Sequence, residues 1–122
     1  MRRILIMDDD EAILEMAKEA LSYENFHVKT INTSKNAIHE ILEYKPDVIL
    51  LDYLVGEING GEICHQIKVN ELTKHIPVII MSGFPRVFES LGNYGCDFFI
   101  SKPFDLYHLL KTIDACLVKA TA

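Results

Sequence analysis

Acidic residues stand directly behind two apolar runs of the chain. Asp8 and Asp9 follow the run Ile4 to Met7, and Asp52 follows the run Val48 to Leu51. Two carboxylates about 5 Å apart repel by about 3 kcal/mol at an effective dielectric constant of about 20, so three grouped carboxylates need a counter-ion. Carboxylate oxygens, waters and a phosphate are the usual ligands of Mg²⁺ in proteins. If the three acids meet in the fold, the sequence predicts a magnesium site.

A serine and a lysine take comparable positions behind two later apolar runs. Ser82 follows the run Val78 to Met81, and Lys102 comes shortly after the run Phe98 to Ile100. A carboxylate can attack phosphorus, and cations and hydrogen-bond donors then offset the charge on the phosphoryl oxygens. With bound Mg²⁺, Asp52 beside Ser82 and Lys102 therefore predicts phosphoryl transfer that forms an aspartyl phosphate.

The elements that must position these residues are predicted from the apolar pattern. Five short apolar runs recur, and four of them are continuous, which is typical of strands covered on both faces of a parallel sheet. The second run, His27 to Ile31, alternates between apolar and polar residues and is predicted to form an edge strand. Ligands of such sheets bind at the carboxyl ends of the strands, where all the polar residues named above stand.

Segments of helical period separate the apolar runs. Helices are predicted over 11–24, from after Ser34 to before Pro46, over Glu62 to Val69, over Val87 to Tyr94, and after Asp105. Asp9 or Asp10 can cap the first helix. The apolar stripe predicted for that helix contains Ala12, Ile13, Met16, Ala17, Ala20 and Leu21. Alternating strands and helices predict an α/β fold of (βα)5 type in one domain over 1–122, with a parallel sheet between two helical layers.

Composition excludes several classes of protein. The chain has 122 residues, 49% of them hydrophobic, with 12 Lys and Arg against 18 Asp and Glu and a net charge of -6. Without a basic cluster it is not expected to bind nucleic acid directly. No apolar run approaches the length of a membrane span or a signal peptide, so we expect a cytoplasmic protein with no membrane contact. The three cysteines have no paired spacing and are expected to be reduced and mostly buried.

Four segments together resemble the receiver domain of two-component response regulators. Each segment alone has low specificity, but all four occur in order, each at a strand end, over essentially the whole chain. The resemblance implies a flavodoxin-like, doubly wound fold whose five parallel strands have the order 2-1-3-4-5. The matching segments are Ile4 to Glu11, Pro46 to Asp52, Pro77 to Gly83 and Gly95 to Phe104.

The resemblance also implies roles for single residues. Asp52 matches the phosphoryl acceptor, and Asp8 and Asp9 match the acidic pair that holds Mg²⁺. The backbone carbonyl of Leu54 would complete the protein ligands of the metal. Ser82 matches the hydroxyl residue that bonds the phosphoryl group.

Two further positions match the family in the last third of the chain. Lys102 matches the lysine of the site, and the Lys102-Pro103 peptide bond is expected to be cis. Phe99 matches the aromatic switch residue, whose ring moves inward when the hydroxyl residue is drawn towards the phosphate.

Partners are implied by the same resemblance. A histidine kinase, a histidine phosphotransfer protein or a small acyl phosphate would supply the phosphoryl group. Phosphorylation would bias a surface of the fourth helix, fifth strand and fifth helix, which acts on a downstream protein or a fused output domain. Such a domain catalyses its own phosphorylation and dephosphorylation without turning over an external substrate. The sequence leaves open whether the chain acts alone, as part of a larger regulator, or as a homodimer.

The chain departs from the family pattern in places. Asn59 stands where Asp is common, Gly60 stands where Gly is expected, and the 20-residue span from Ser82 to Lys102 is short, which predicts a clipped fourth helix. Leu54 and Phe84 stand at positions from which a polar side chain could orient a hydrolytic water. Because both are apolar, self-dephosphorylation is predicted to be slow.

Three other functions were weighed against these residues. A haloacid-dehalogenase-like phosphatase also begins a sheet with Asp-x-Asp, but has Thr or Val where this chain has Ala12. A flavin mononucleotide binder needs a phosphate loop after the first strand, and the acids from Asp8 onwards would repel phosphate. A degenerate receiver would act as an unphosphorylated binding module.

Overall fold

The computed structural model describes residues 1–55, 58–83 and 95–121. Phe84 and the helix predicted over Val87 to Tyr94 lie outside the described residues. The strands are β1 (Arg3–Met7), β2 (His27–Ile31), β3 (Val48–Asp52), β4 (Leu54–Val55), β5 (Ile58–Asn59), β6 (Val78–Ser82) and β7 (Phe98–Ser101). The helices are α1 (Glu11–Tyr23), α2 (Ala37–Tyr44), α3 (Gly60–Val69) and α4 (Leu106–Thr121).

Five of the strands form one parallel sheet in the order β2-β1-β3-β6-β7. This arrangement confirms the flavodoxin-like α/β class, and β2 lies at an edge as its alternating pattern predicts. The strand numbering differs from the predicted one because β4 and β5 intervene. They form a separate antiparallel hairpin of two residues each, which the sequence did not predict.

Both faces of the sheet are covered by apolar residues. Leu5 and Met7 of β1 belong to one buried cluster, which includes Ile41 of α2 and Ile67 of α3. The alternate residues of β1 belong to a second cluster with buried residues of α1 and α4. Successive side chains of a strand point to opposite faces, so a strand covered on both sides has no polar face. This explains why the central runs are continuously apolar.

The residues on the buried face of α1 differ in part from the predicted stripe. Leu14, Ala17 and Leu21 are buried, whereas Met16, which was placed in the stripe, is 53% exposed. The prediction was wrong here because apolar residues also occupy helix positions beside the buried face. They were included in the predicted stripe although they do not face the sheet. The face that meets the sheet follows the spacings of three and four from Leu14.

The caps of two helices have the predicted acidic residues. The Asp10 carboxylate accepts hydrogen bonds from the backbone N–H groups of Ala12 and Ile13 at 3.0 and 3.4 Å. Asp105 accepts one from the N–H of His108 at 2.7 Å at the start of α4. Within the described parts of the chain, no helix combines the length and apolar character that a membrane crossing requires.

Candidate functional site

The pairing of β1 with β3 brings acids from distant parts of the chain together. Met7 is in register with Leu51. The next residues, Asp8 and Asp52, therefore lie side by side at the same end of the sheet. Oxygen atoms of Asp8, Asp9 and Asp52 all lie within 4.8 Å of one another. The three acids therefore meet in the fold, as the strand-end positions predicted.

The three acids differ in their exposure to water. Asp8 is fully buried and Asp52 is 9% exposed, whereas Asp9 is exposed. The backbone N–H of Asp8 donates to the carbonyl of Ile31 at 3.1 Å, and its carboxylate accepts from the N–H of Asp10 at 3.0 Å. Asp8 is thus held from two directions, and its carboxylate has one orientation relative to Asp52.

Lys102 connects the two buried acids. Its Nζ donates to Asp8 Oδ2 and to Asp52 Oδ1, both at 2.8 Å. Lys102 therefore forms an ion pair with each of the two carboxylates. Because β6 lies between β7 and β3, the long lysine side chain crosses the end of β6 and reaches both acids.

The backbone around Lys102 is positioned by β6. Ser101 is in register with Ser82, and the N–H of Lys102 donates to the carbonyl of Ser82 at 2.8 Å. The Lys102-Pro103 peptide bond is cis, as expected. The lysine and the serine are therefore tied to each other at the same end of the sheet as the acids.

The charges of the site shift the ionisation of two groups. Burial raises the pKa of Asp52 above its ordinary 3.8; the hydrogen bond from Lys102 opposes this rise and the charge of Asp8 adds to it. Burial alone would lower the pKa of Lys102, but the hydrogen bonds to Asp52 and Asp8 outweigh it and raise that pKa. Three carboxylates and one ammonium group still carry net negative charge, which favours a further cation.

A cleft opens beside the Asp52 carboxylate. It has a volume of about 280 Å³ and is lined by Asp52, Tyr53, Leu54, Ser82, Gly83 and Lys102. Ser82 is almost completely buried, whereas the Leu54 side chain is 46% exposed. The acceptor carboxylate predicted from the sequence thus adjoins a space with a hydroxyl group and an ammonium group in its walls.

A larger cleft lies beside β2, away from the acids. Its volume is about 360 Å³, and Lys29 and Glu40 are among the residues that line it. These two side chains form an ion pair with each other at 2.7 Å. The smaller cleft at Asp52 is the candidate functional site, because it adjoins the cluster of three acids.

The hairpin that follows Asp52 was missed by sequence reasoning. Leu54 of β4 is in register with Asn59 of β5. The Asn59 side chain accepts from the N–H of Gly61 at 2.6 Å, capping α3, and donates to the Tyr53 hydroxyl at 3.0 Å. Asn is a good helix cap, which is the one local signal that could have located this turn. The hairpin determines where Leu54 lies relative to Asp52.

Phe99 lies in the middle of β7, in register with Ile80. Its ring is partly buried and packs against the cluster that contains Ile80 and Cys64. The structure therefore places Phe99 in the core-facing layer of the strand that leads to Lys102.

The acidic cluster fits a hard divalent cation. Its donors are carboxylate oxygens, without thiol or imidazole groups. The oxygens of Asp8, Asp9 and Asp52, which lie within 4.8 Å of one another, would be the protein ligands of such an ion.

The fold and this site together define a phosphoryl-acceptor class of signalling domain, and the chain belongs to the response regulator receiver domain family. The family model matches residues 4–114. The chain is 35% identical over 119 residues to the response regulator ArlR of Staphylococcus saprophyticus and 33% identical to that of Staphylococcus aureus. Both matches cover 96% of this chain and 53% of the relative, so the chain spans about half the length of the curated relatives it matches.

Solved structures show the same architecture. A CheY-like receiver domain protein from Methanospirillum hungatei superposes with a TM-score of 0.90 at 28% identity, covering 99% of this chain and 97% of that one. A two-component response regulator from Clostridium difficile gives a TM-score of 0.90 at 23% identity over the full length of both chains. At that lower identity the likeness concerns the fold alone.

Proposed function

We propose that Asp52 is the phosphoryl acceptor of this receiver domain. The observation that carries the proposal is the double hydrogen bond of Lys102 Nζ to Asp8 and Asp52, at 2.8 Å each, beside an open cleft. Asp8, by contrast, is buried, and it is not among the residues that line this cleft.

The residues around Asp52 would share the work of binding and charge neutralisation. Asp8, Asp9, Asp52 and the backbone carbonyl of Leu54 would hold Mg²⁺. When bound, the ion supplies positive charge close to the phosphoryl oxygens. Lys102 would move its ammonium group from the carboxylates towards the incoming phosphoryl group, and Ser82 would donate a hydrogen bond to it.

The donor and the output follow from membership in the family. The donor would be a phosphohistidine of a histidine kinase or a histidine phosphotransfer protein, or a small acyl phosphate. Turnover would be limited to the domain's own phosphorylation and dephosphorylation, in the cytoplasm. Phe99 and the surface around β7 and α4 would then report the state of Asp52 to a downstream protein or a fused output domain by a population shift.

The test is the intact mass of the protein after incubation with acetyl phosphate and Mg²⁺. We expect one phosphoryl group on the parent chain and none on Asp52→Asn. Asp47→Asn is the matched control, because Asp47 precedes β3 at the opposite end and accepts a hydrogen bond from the N–H of Arg3. This variant should be phosphorylated like the parent.

Three outcomes would contradict the proposal. Equal uptake by the parent and Asp52→Asn would place the acceptor elsewhere. Unchanged uptake after chelation of Mg²⁺ would exclude a role for the acidic cluster as a metal site. No uptake by the parent, from acetyl phosphate or from a phosphorylated histidine phosphotransfer protein, would indicate the degenerate receiver.

The phosphatase alternative has less support from the geometry. In that alternative Asp8 would attack the substrate and Asp10 would transfer protons. Here the Asp10 carboxylate caps α1, and Asp8 is buried against Lys102. Turnover of p-nitrophenyl phosphate that depends on Asp8 and not on Asp52 would restore this alternative.

A further inference from the structure

We infer that Cys64 and Cys96 form a redox-active dithiol that closes to an internal disulfide when it meets a hydroperoxide. Their Sγ atoms lie 2.9 Å apart although the residues are 32 positions apart in the chain. Both are free thiols in the structure. The inference is independent of the phosphoryl site, because neither cysteine lines the cleft at Asp52.

An ion pair beside the two sulfur atoms also joins the two segments that carry them. Lys68 lies one helical turn after Cys64 on α3, and Asp97 directly follows Cys96. Lys68 Nζ pairs with Asp97 Oδ2 at 2.7 Å, with both side chains only 16% exposed. Residues four apart on a helix share one face, so the ion pair and the thiol pair bridge the same two segments.

The ion pair is itself anchored to the sheet. Lys68 Nζ also donates to the carbonyl of Ile76 at 2.6 Å. The Asp97 carboxylate accepts from the N–H of Val78 at 2.9 Å, and the N–H of Asp97 donates to the carbonyl of Val78 at 3.1 Å. The segment that contains Cys96 therefore has little freedom to move away from α3, and the approach of the sulfur atoms is a property of the fold.

The two thiols have different surroundings, which gives them different roles. Cys64 is completely buried, whereas Cys96 is partly exposed. The hydrogen bond between the two thiols lowers the pKa of Cys96, and the same bond together with burial raises the pKa of Cys64. Thiolates react with peroxides and thiols do not, so Cys96 is the residue that reacts first.

The chemistry balances with the hydroperoxide as the oxidant. The Cys96 thiolate attacks the terminal peroxide oxygen and the O–O bond breaks. An alkoxide leaves, or hydroxide where the oxidant is hydrogen peroxide, and the sulfur becomes a sulfenic acid. The sulfur of Cys64 then attacks the sulfenic sulfur, the S–O bond breaks, and the Cys64 proton leaves with the hydroxyl group as water. Two sulfur atoms are oxidised by one electron each, and the peroxide is reduced by two.

The disulfide would tie α3 to the residues that lead into β7. Cys96 and Phe99 pack against the same apolar cluster, which also contains Cys64. Oxidation would thus fix the spacing between α3 and the strand that carries Phe99. The inferred site is a modification site on the side of the core opposite to α1 and α4.

The experiment treats the whole chain with hydrogen peroxide, then denatures it and counts free thiols by alkylation and mass. We expect a loss from three thiols to one in the parent, with Cys64 and Cys96 joined in one cross-linked peptide and Cys116 alkylated. A reductant should restore all three thiols. Cys116→Ser is the matched control: this buried residue belongs to the other core cluster, and the variant should form the disulfide at the parent rate.

Cys96→Ser removes the more exposed thiol of the pair. This variant tests the inferred disulfide even if a substitution of the buried Cys64 prevents folding. It should leave Cys64 reduced at a peroxide concentration that oxidises the parent. Persistence of all three thiols in the parent would overturn the inference. Formation of a sulfinic acid on Cys96 with Cys64 still free, or of a disulfide between two molecules, would overturn it as well.

Discussion

A Cβ atom on Gly60 would overlap the backbone carbonyl oxygen of Asp52. The same Cβ would lie 3.0 Å from both the Cα and the carbonyl oxygen of Tyr53. The N–H of Gly60 donates to that Tyr53 carbonyl, so the start of α3 is bonded directly to the backbone that follows Asp52. The conformation of the Asp52 backbone therefore depends on the absence of a side chain at position 60.

Gly60→Ala is expected to destabilise the protein and to impair phosphorylation together. All three contacting atoms belong to the backbone and none to a flexible side chain, so α3 or the chain after β3 must shift. Overpacking of this kind costs about 1–3 kcal/mol. Urea unfolding measures the loss of stability, and phosphoryl uptake from acetyl phosphate measures the displacement of Asp52.

The matched control for this substitution is Gly83→Ala. Among the residues that the structure describes, and leaving its chain neighbours aside, no heavy atom lies within 4 Å of a Cβ at Gly83, and this position needs no unusual backbone angle. The free energy of unfolding of Gly83→Ala should therefore stay close to that of the parent. A Gly60→Ala protein with parental stability and uptake would show that the contact between Gly60 and Asp52 is not restrictive.

Asp52→Asn is expected to raise the free energy of unfolding at pH 7 in the absence of Mg²⁺. Because the pKa of Asp52 is raised by folding, the folded state binds its proton more tightly than the unfolded chain does. The contribution of Asp52 to stability is therefore present below its ordinary pKa of 3.8 and is lost as the pH rises through the raised value. Asparagine does not ionise and avoids this loss.

The measurement is urea unfolding of both proteins between pH 4 and pH 7 at constant ionic strength. The advantage of Asp52→Asn should grow as the pH rises and shrink towards the acid end. Lys102 keeps its hydrogen bond to Asp8 in the variant, so the comparison reports chiefly on the Asp52 charge. An advantage that is constant over this pH range would contradict the assignment to ionisation.

Mg²⁺ is expected to stabilise the folded protein through Asp9. A ligand that binds only the folded state at a hundred times its Kd adds about 2.7 kcal/mol to the free energy of unfolding. Asp9→Asn should need a much higher Mg²⁺ concentration for the same gain, since one of three clustered carboxylates is neutralised. Thermal unfolding during a Mg²⁺ titration measures both curves.

Asp10→Asn is the control for the charge of this segment. It removes one negative charge beside Asp9 but retains a side chain that caps α1. Its response to Mg²⁺ should resemble that of the parent. If Asp9→Asn and Asp10→Asn respond alike, the metal effect reflects general charge and not the cluster.

Leu54→Asn is expected to shorten the lifetime of the aspartyl phosphate severalfold. Leu54 lines the cleft at Asp52 with an exposed apolar side chain, which cannot orient a hydrolytic water, whereas an amide can. The loss of phosphorylated mass with time after removal of acetyl phosphate gives the lifetime. Leu72→Asn, at an exposed leucine that does not line this cleft, should leave it unchanged.

The structure confirms several features that the residue types could predict. The sequence predicted that Asp8, Asp9 and Asp52 lie close together. Acids follow two of the apolar runs, and parallel strands of one sheet have their carboxyl ends on the same side. Ile63 and Ile67, which are buried on α3, lie four residues apart, in agreement with the helix predicted over Glu62 to Val69. In α1 the choice between Met16 and Leu14 was wrong because both are apolar, and only packing against the sheet distinguishes them.

Other features had no local signal. The β4–β5 hairpin consists of strands of two residues, too short to show any periodicity. The double ion pair of Lys102 depends on residues 94 and 50 positions away, and on the place of β7 beside β6. The contact of Gly60 with the backbone after β3 likewise depends on how the hairpin returns to the sheet.

The alternation of strands and helices and the chemical character of each strand end can be predicted from residue order, because both depend on neighbouring residues within one element. The contacts between charged and thiol groups are visible only in the folded chain: Lys102 with two acids, Cys64 with Cys96, and Lys68 with Asp97. The physical reason is that these contacts depend on strand order, register and side-chain reach across the sheet. None of those three is encoded in a short segment of chain.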